Sequence, residues 1–263
     1  MLQTEFFKTY KLWRSYIASV VMAIVVYSIA ILILNYVLND VSLNRTGENL
    51  SQDTGFSNLI GFIMWWFGLR ILPEMADEIS RDAKEGVLEQ IVLGGNVLQR
   101  YAIGTVAALT ISLIEGLTVM FLVSIFSGFS LSSIEFQNLS SIVFIVFVSI
   151  IGSGGMMLLF AGIAFVYNSI SRIALLVGNL SLFLTQLIII ENDVIRNVVF
   201  GAIPIAKGTE MVRNLLVNGE PVYAIDYAFI VIQSLIFLCL GIFSLVYFFN
   251  QASEDGKLSS YSL

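Results

Sequence analysis

Long charge-free runs, separated by short polar stretches, account for most of the chain. A helix that crosses a hydrocarbon layer of roughly 30 Å needs about 20 mainly apolar residues. Residues 15–38 contain no charge, 54–73 only Arg70, and 101–127 only Glu115. No charged residue occurs over 136–171, whose core (141–167) predicts a fourth span. Residues 173–190 form a short fifth and 227–249 a sixth. The pattern predicts an all-α integral membrane protein of six transmembrane helices. It shows no fixed-period repeat, low-complexity tract or linker, so a single domain over 1–263 is expected, with a six-span core at 15–253 and a polar tail at 254–263.

The first run exceeds the 7–15 residues of a signal-peptide core, and no small-x-small cleavage pattern follows it, so it is expected to stay as an anchor. Before it, Phe6, Tyr10, Trp13 and Ile17 recur at helical spacing while Lys8, Lys11 and Arg14 fall mainly on other faces. That suits a helix over 1–14 lying in the membrane interface; a helical extension of the first span fits equally. With a cytoplasmic N-terminus, the inner segments hold Lys8, Lys11, Arg14, Arg81, Lys84, Arg100, Arg172 and Lys257, and the outer ones Arg45, Arg196, Lys207 and Arg213. Basic residues concentrate on the cytoplasmic side of membrane proteins. Both termini are therefore expected inside, and 74–100 becomes a cytoplasmic segment.

Composition agrees with a lipid solvent. Of 263 residues 57% are hydrophobic and 12% charged, about half the charge usual in soluble domains. There is no histidine and one cysteine, Cys239, which excludes a disulfide framework and the usual zinc or haem sites; no metal is expected. A net charge of −6 lacks the basic face that nucleic acid requires. Without a G-x-x-x-x-G-K-[ST] phosphate loop, no bound nucleotide is expected. No catalytic residue set stands out either.

One short stretch breaks the apolar pattern. "EISRDAKEGVLEQIVLGGN" (78–96) carries Glu78, Arg81, Asp82, Lys84, Glu85 and Glu89. Within it, 86–93 puts Val87, Leu88, Ile91 and Val92 on one side with Glu85, Glu89 and Gln90 around them. Eight helical residues reach only about 12 Å, too short to span. Gly94-Gly95 should stop this helix, since glycine adopts the left-handed conformation a helix end favours. Asn96 with Gln99 then resembles a capping box for the third span. An apolar stripe rimmed by acids fits a protein groove better than an anionic lipid surface, which attracts Lys and Arg.

These residues resemble the cytoplasmic loop of the ABC-2-type permeases, the membrane subunits of ATP-driven ABC exporters. Lys84-Glu85-Gly86-Val87-Leu88-Glu89-Gln90 matches the family pattern, with Gly94-Gly95-Asn96 in place of the usual proline-containing break. "GAIPIAKGTEMVRNLLVNGEP" (201–221) likewise resembles the family's Pro-led amphipathic outer helix, with Pro204 near its start, Met211, Val212, Leu215 and Leu216 as its apolar face, and Asn218-Gly219 ending it. The resemblance implies a re-entrant outer helical pair between spans five and six. It also implies a coupling helix near 84–93 (Lys84, Glu85, Gly86, Val87, Leu88, Glu89 and Ile91), with Val87, Leu88 and Ile91 as the anchors buried in the partner. That partner is a separate ATP-binding subunit in two copies, carrying ATP and Mg; a second permease copy, identical or paralogous, and membrane lipid complete the partners. The setting implied is a prokaryotic cell membrane, and the activity export of an amphipathic or hydrophobic substrate such as a drug, lipid, lipid-linked glycan or peptide. A non-transporting scaffold coupled to an ATPase and a secondary transporter are the alternatives.

Arg70 and Glu115 are the ionisable residues well inside the predicted spans, and both are candidates for the translocation path. For Arg70, snorkelling or an ion pair with Glu74 stands beside that role; for Glu115, a cavity-facing or interhelical position is expected. Depth counting puts Arg70 in the inner half of span two and Glu115 in the outer half of span three, too far apart to pair. "GSGG" (152–155) predicts tight helix packing or a kink, because an intramembrane serine protease has no histidine base here. Trp65-Trp66 is expected to pack at a contact between two copies, with contact to an apolar substrate as the alternative.

Overall fold

A computed structural model describes residues 52–95, 97–127, 136–167, 169–182, 200–217 and 220–254, with scattered helical positions between 21 and 37. The expected interfacial helix, the tail beyond 254, Asn96, Asn218-Gly219 and the second half of the fifth apolar run lie outside these residues. The described chain is helical: α1 (Gln52–Lys84), α2 (Val87–Leu93), α3 (Val97–Ser127), α4 (Phe136–Ala164), α5 (Ile170–Leu182), α6 (Pro204–Val217) and α7 (Ala224–Glu254). No strand occurs among the described residues. Among the described residues three helices are long and apolar enough to cross a membrane, at Val97–Val123, Asn138–Ala164 and Ala224–Glu254.

The span predicted to end at Pro73 does not end there: α1 continues for another three turns, with Pro73 inside it. A proline costs one backbone hydrogen bond and crowds the preceding turn. Here packing outweighs that cost, because Ile71, Leu72, Met75, Ala76 and Ile79 flank it and are all buried.

The packing predicted for the glycine-rich stretch of α4 is present, and α7 is its partner. A methyl group added at Gly155 would sit 2.5 Å from the backbone nitrogen of Leu238, and one at Gly162 2.5 Å from the carbonyl carbon of Ser244. Gly241 faces the Gly155 carbonyl from the other side. Backbones this close allow cross-helix hydroxyl bonds. Ser234 Oγ donates to the Val148 carbonyl at 2.9 Å, and Ser244 Oγ to the Leu159 carbonyl at 3.0 Å. Small residues at helix contacts are how helices pack tightly when lipid supplies no hydrophobic drive between them.

Trp66 corrects an expectation. It is 5% exposed, buried inside its own chain rather than left for a second copy, and Trp65 packs half-buried against the same core. Conversely, α3 turns Val106, Ile114, Leu117, Phe121 and Ile125 outward, as a lipid-facing helix does.

Candidate functional site

The charged stretch folds as a clamped turn between α1 and α3. Gly86 has φ 70° and Gly95 φ 78°, the positive-φ residues of the described chain. Gly86 ends α1, its N–H donating to the Ala83 carbonyl at 3.2 Å, and also opens α2. At the far end Gly94 keeps right-handed geometry, with φ −71°, and Gly95 alone takes the left-handed turn. The predicted double-glycine stop is thus a single-residue one. The helix between has seven residues, starting at Val87 rather than Gly86.

Its apolar stripe points inward. Leu88 is 1% and Ile91 9% exposed, both within the chain's own core, with Val87 and Val92 packed against it. The expectation that Val87, Leu88 and Ile91 anchor in a partner's cleft is corrected for Leu88 and Ile91, which the chain's own core already covers, while Val87 is half-buried. Periodicity defines a stripe but not what covers it. What α2 presents outward is Lys84, Glu85, Gly86, Glu89, Gln90 and Leu93, the last 83% exposed.

Beneath α2, the last turn of α1 is tied to the first turn of α3. Tyr101 donates its hydroxyl to Asp82 Oδ2 at 2.9 Å, and Arg100 Nη2 lies 3.9 Å from the same oxygen. Tyr101 and Asp82 are 1% and 6% exposed. The sequence alone does not reveal this pair, since Tyr101 at the start of an apolar run reads as an interface aromatic. A separation of 19 residues leaves no local signal.

Arg70 and Glu115 meet. Arg70 Nε is 3.7 Å from Glu115 Oε2 on α3, and its Nη1 is 3.7 Å from Glu74 Oε2 one turn along α1. The Glu115 side chain is 5% exposed and that of Arg70 46%. The expected ion pair with Glu74 and the interhelical position of Glu115 are both present; the expected separation of Arg70 from Glu115 is overturned. Depth counted from Pro73 starts eleven residues short of Lys84, where α1 ends, and so misplaces Arg70 by about 16 Å along the helix. The chain matches no family model, no curated protein and no solved structure.

A third polar cluster surrounds α6. This helix starts at Pro204, as expected, and buries Met211, Val212 and Leu215 with Leu216 half-buried. A break at Ile203 separates it from helical residues 200–202. Side-chain amide nitrogen Nε2 of Gln233 donates to the carbonyls of Phe200, at 2.5 Å, and Gly201, at 3.0 Å, so the carbonyls freed by the break are bonded. A methyl at Gly152 would lie 2.8 Å from Pro204 Cβ, and one at Gly208 would meet Ser149 Oγ. Ser149 and Gly152 flank the midpoint of α4. Higher along α6, Lys207 Nζ bonds Glu210 at 2.9 Å, approaches Asp226 at 3.9 Å, and sits over the rings of Phe229 and Phe200 at 5.7 and 5.9 Å.

Proposed function

We propose that this chain is the permease subunit of an ATP-driven ABC exporter of the ABC-2 type. It would have six spans, both termini in the cytoplasm, α2 as its coupling helix, and a path for an amphipathic or hydrophobic substrate. One observation carries the reading. A seven-residue helix, bounded at both ends by left-handed glycines and seated by Leu88 and Ile91, joins two long helices and turns outward a polar rim of Lys84, Glu85, Glu89 and Gln90. Its inner face packs into the core through Leu88 and Ile91, while its outer polar face contributes nothing to that packing and is free to be pushed by a partner. Docking rests on the rim and Leu93, while Leu88 and Ile91 transmit the push inward. In this scheme ATP and Mg stay on two ATP-binding partner subunits, and a second permease copy completes the path.

The re-entrant outer pair draws support from the Ile203 break, which lies level with the middle of α4 and has its carbonyls bonded by Gln233. Irregular backbone at that depth is tolerated only when its polar groups are met by protein or water. The Arg70–Glu115 pair is assigned to holding α1 against α3, with Arg70 half-exposed toward the path.

The test is a double charge reversal on the rim, Glu85→Lys with Glu89→Lys. Charge pairs across interfaces couple with about 1.5–7 kcal/mol, so co-purification with the ATPase should fall by about tenfold or more while insertion and melting stay unchanged. Wild-type yield of the ATPase with this variant would remove the coupling-helix assignment. Orientation is checked separately with single cysteines at Glu48, Glu85 and Glu135 in a Cys239→Ser background. Labelling from outside at Glu85 but not at Glu48 would overturn the topology.

A further inference from the structure

Four helix ends meet at one buried point. Tyr101, in the first turns of α3, bonds Asp82 in the last turn of α1 at 2.9 Å. The ring of Tyr101 stands edge-on to Phe165, 5.7 Å between centroids and 75° between planes, directly after α4 ends at Ala164. Phe165 in turn stands edge-on to Phe249 near the end of α7, at 5.5 Å and 69°. Tyr101 and Phe165 are 1% and 0% exposed. Leu88 and Ile91 of α2 belong to the same contiguous core.

The placement has a mechanical meaning. Beyond this point α3 packs chiefly on α1, touches α4 sparingly, and has no substantial contact with α7 among the described residues. The pair α4–α7, by contrast, is locked backbone to backbone at Gly155, Gly162 and Gly241. Interfaces packed this closely shift as bodies and do not deform continuously. α1 also packs extensively on α4; at the helix ends beside α2 a displacement reaches the α4–α7 body through Tyr101, whose hydroxyl fixes it to α1 and whose ring bears on Phe165. Edge-to-face aromatic pairs hold their geometry because the ring edge is attracted to the electron-rich face.

We propose that Tyr101 is the positioning residue that hands movement of α2 to the α4–α7 pair, with Asp82 as its anchor and Phe165–Phe249 as its output. This rests on the exporter reading, and it deepens that reading by naming which helices the partner's nucleotide cycle moves. Tyr101→Phe keeps the ring stack and deletes one hydroxyl. Asp82→Ala deletes its acceptor. Asp82→Asn retains an acceptor oxygen but no charge.

The experiment uses the purified complex with its ATP-binding subunits. An environment-sensitive fluorophore is placed at Glu254→Cys, one turn past Phe249, in the Cys239→Ser background. Addition of Mg·ATP should change its emission. Because a hydrogen bond to a charged group is worth about 1.5–3 kcal/mol, the response should fall to about a tenth or less in Tyr101→Phe and in Asp82→Ala, and no further in the double variant. Asp82→Asn should restore most of it. Tyr101→Phe and Asp82→Ala should also melt lower, by roughly 3–12 °C at about 2–4 °C per kcal/mol, but below melting they should keep wild-type levels of co-purified ATPase, so that a lost response in an assembled complex reports coupling and not unfolding. If the wild-type chain retains no ATPase, the exporter reading fails and this coupling with it. If it retains the ATPase and Tyr101→Phe responds in full, the coupling alone is overturned. Should Tyr101→Phe fail to accumulate, Phe165→Leu, which breaks the ring contact and spares the hydroxyl bond, is judged by the same response and the same two outcomes.

Discussion

Adding one methyl group at Gly162 tests whether the α4–α7 contact holds the bundle together. That methyl would lie 2.5 Å from the Ser244 carbonyl carbon and 2.6 Å from the Leu245 nitrogen. Non-bonded carbons rest at about 3.5–4.0 Å, so the two backbones would have to part by about 1 Å. The Ser244–Leu159 bond, 3.0 Å at rest, would stretch with them. Overpacking of this kind costs about 1–3 kcal/mol. Alanine in place of a helical glycine returns roughly 0.5–1 kcal/mol through chain entropy. The net expectation for Gly162→Ala is thus a loss of up to about 2.5 kcal/mol, or up to roughly 10 °C in melting temperature at about 2–4 °C per kcal/mol for a chain of this length. Gly155→Ala, confronting the backbone of Phe237 and Leu238 at 2.5 Å, should lose at least as much. Gly201→Ala is the control, because nothing lies within 4 Å of a methyl there. Thermal unfolding in one detergent, followed by gel-filtration peak height, compares the three. If Gly155→Ala and Gly162→Ala melt together with Gly201→Ala, the close contact between α4 and α7 does not exist and the reasoning from it fails.

Further expectations concern the turn and the ion pair. Leu88→Ala should destabilise the chain itself by about 2–5 kcal/mol, the cost of a buried cavity; unchanged melting would mean that Leu88 is free to face a partner. Gly95→Ala, at φ 78° in open space, should cost about 1–2 kcal/mol from left-handed backbone strain alone, and an unshifted melting curve would count against the single-residue stop. Arg70→Gln leaves the Glu115 carboxylate buried with less counter-charge and should cost about 1–3 kcal/mol, below the roughly 3–5 of a fully buried pair because Arg70 is half-exposed. Arg70→Gln with Glu115→Gln should recover most of that loss in a double-mutant cycle, and simple additivity would deny the pairing.

Much of the fold is readable because apolar length and glycine are local signals. The runs that become α3, α4 and α7, the short α2 and the Pro204 start of α6 all follow from residues within one or two turns. The departures share a cause. Pro73 reads as a stop because a proline inside a helix is costly in isolation, whereas Ile71, Leu72 and Met75 make the continuous helix worth keeping. A helix end misplaced in this way hides the meeting of Arg70 with Glu115. Leu88 and Ile91 form a stripe under any reading, but which neighbour covers a stripe is a tertiary fact. Asp82 with Tyr101, and Gln233 with Phe200, join residues 19 and 33 positions apart, and no spacing rule reaches that far.

The bond from Gln233 to the broken backbone at Phe200 and Gly201 restricts how this gene can drift. A glutamine codon becomes a glutamate codon by a single base change, and the two side chains have nearly the same shape. Here they are opposites. The amide brings donors to two carbonyls, while an ionised carboxylate brings only acceptors. In a site 5% exposed a glutamate would have to bind a proton to fit, and would then offer one donor where the amide offers two. The mildest substitution on paper therefore carries a protonation cost and leaves one of the two carbonyls unbonded.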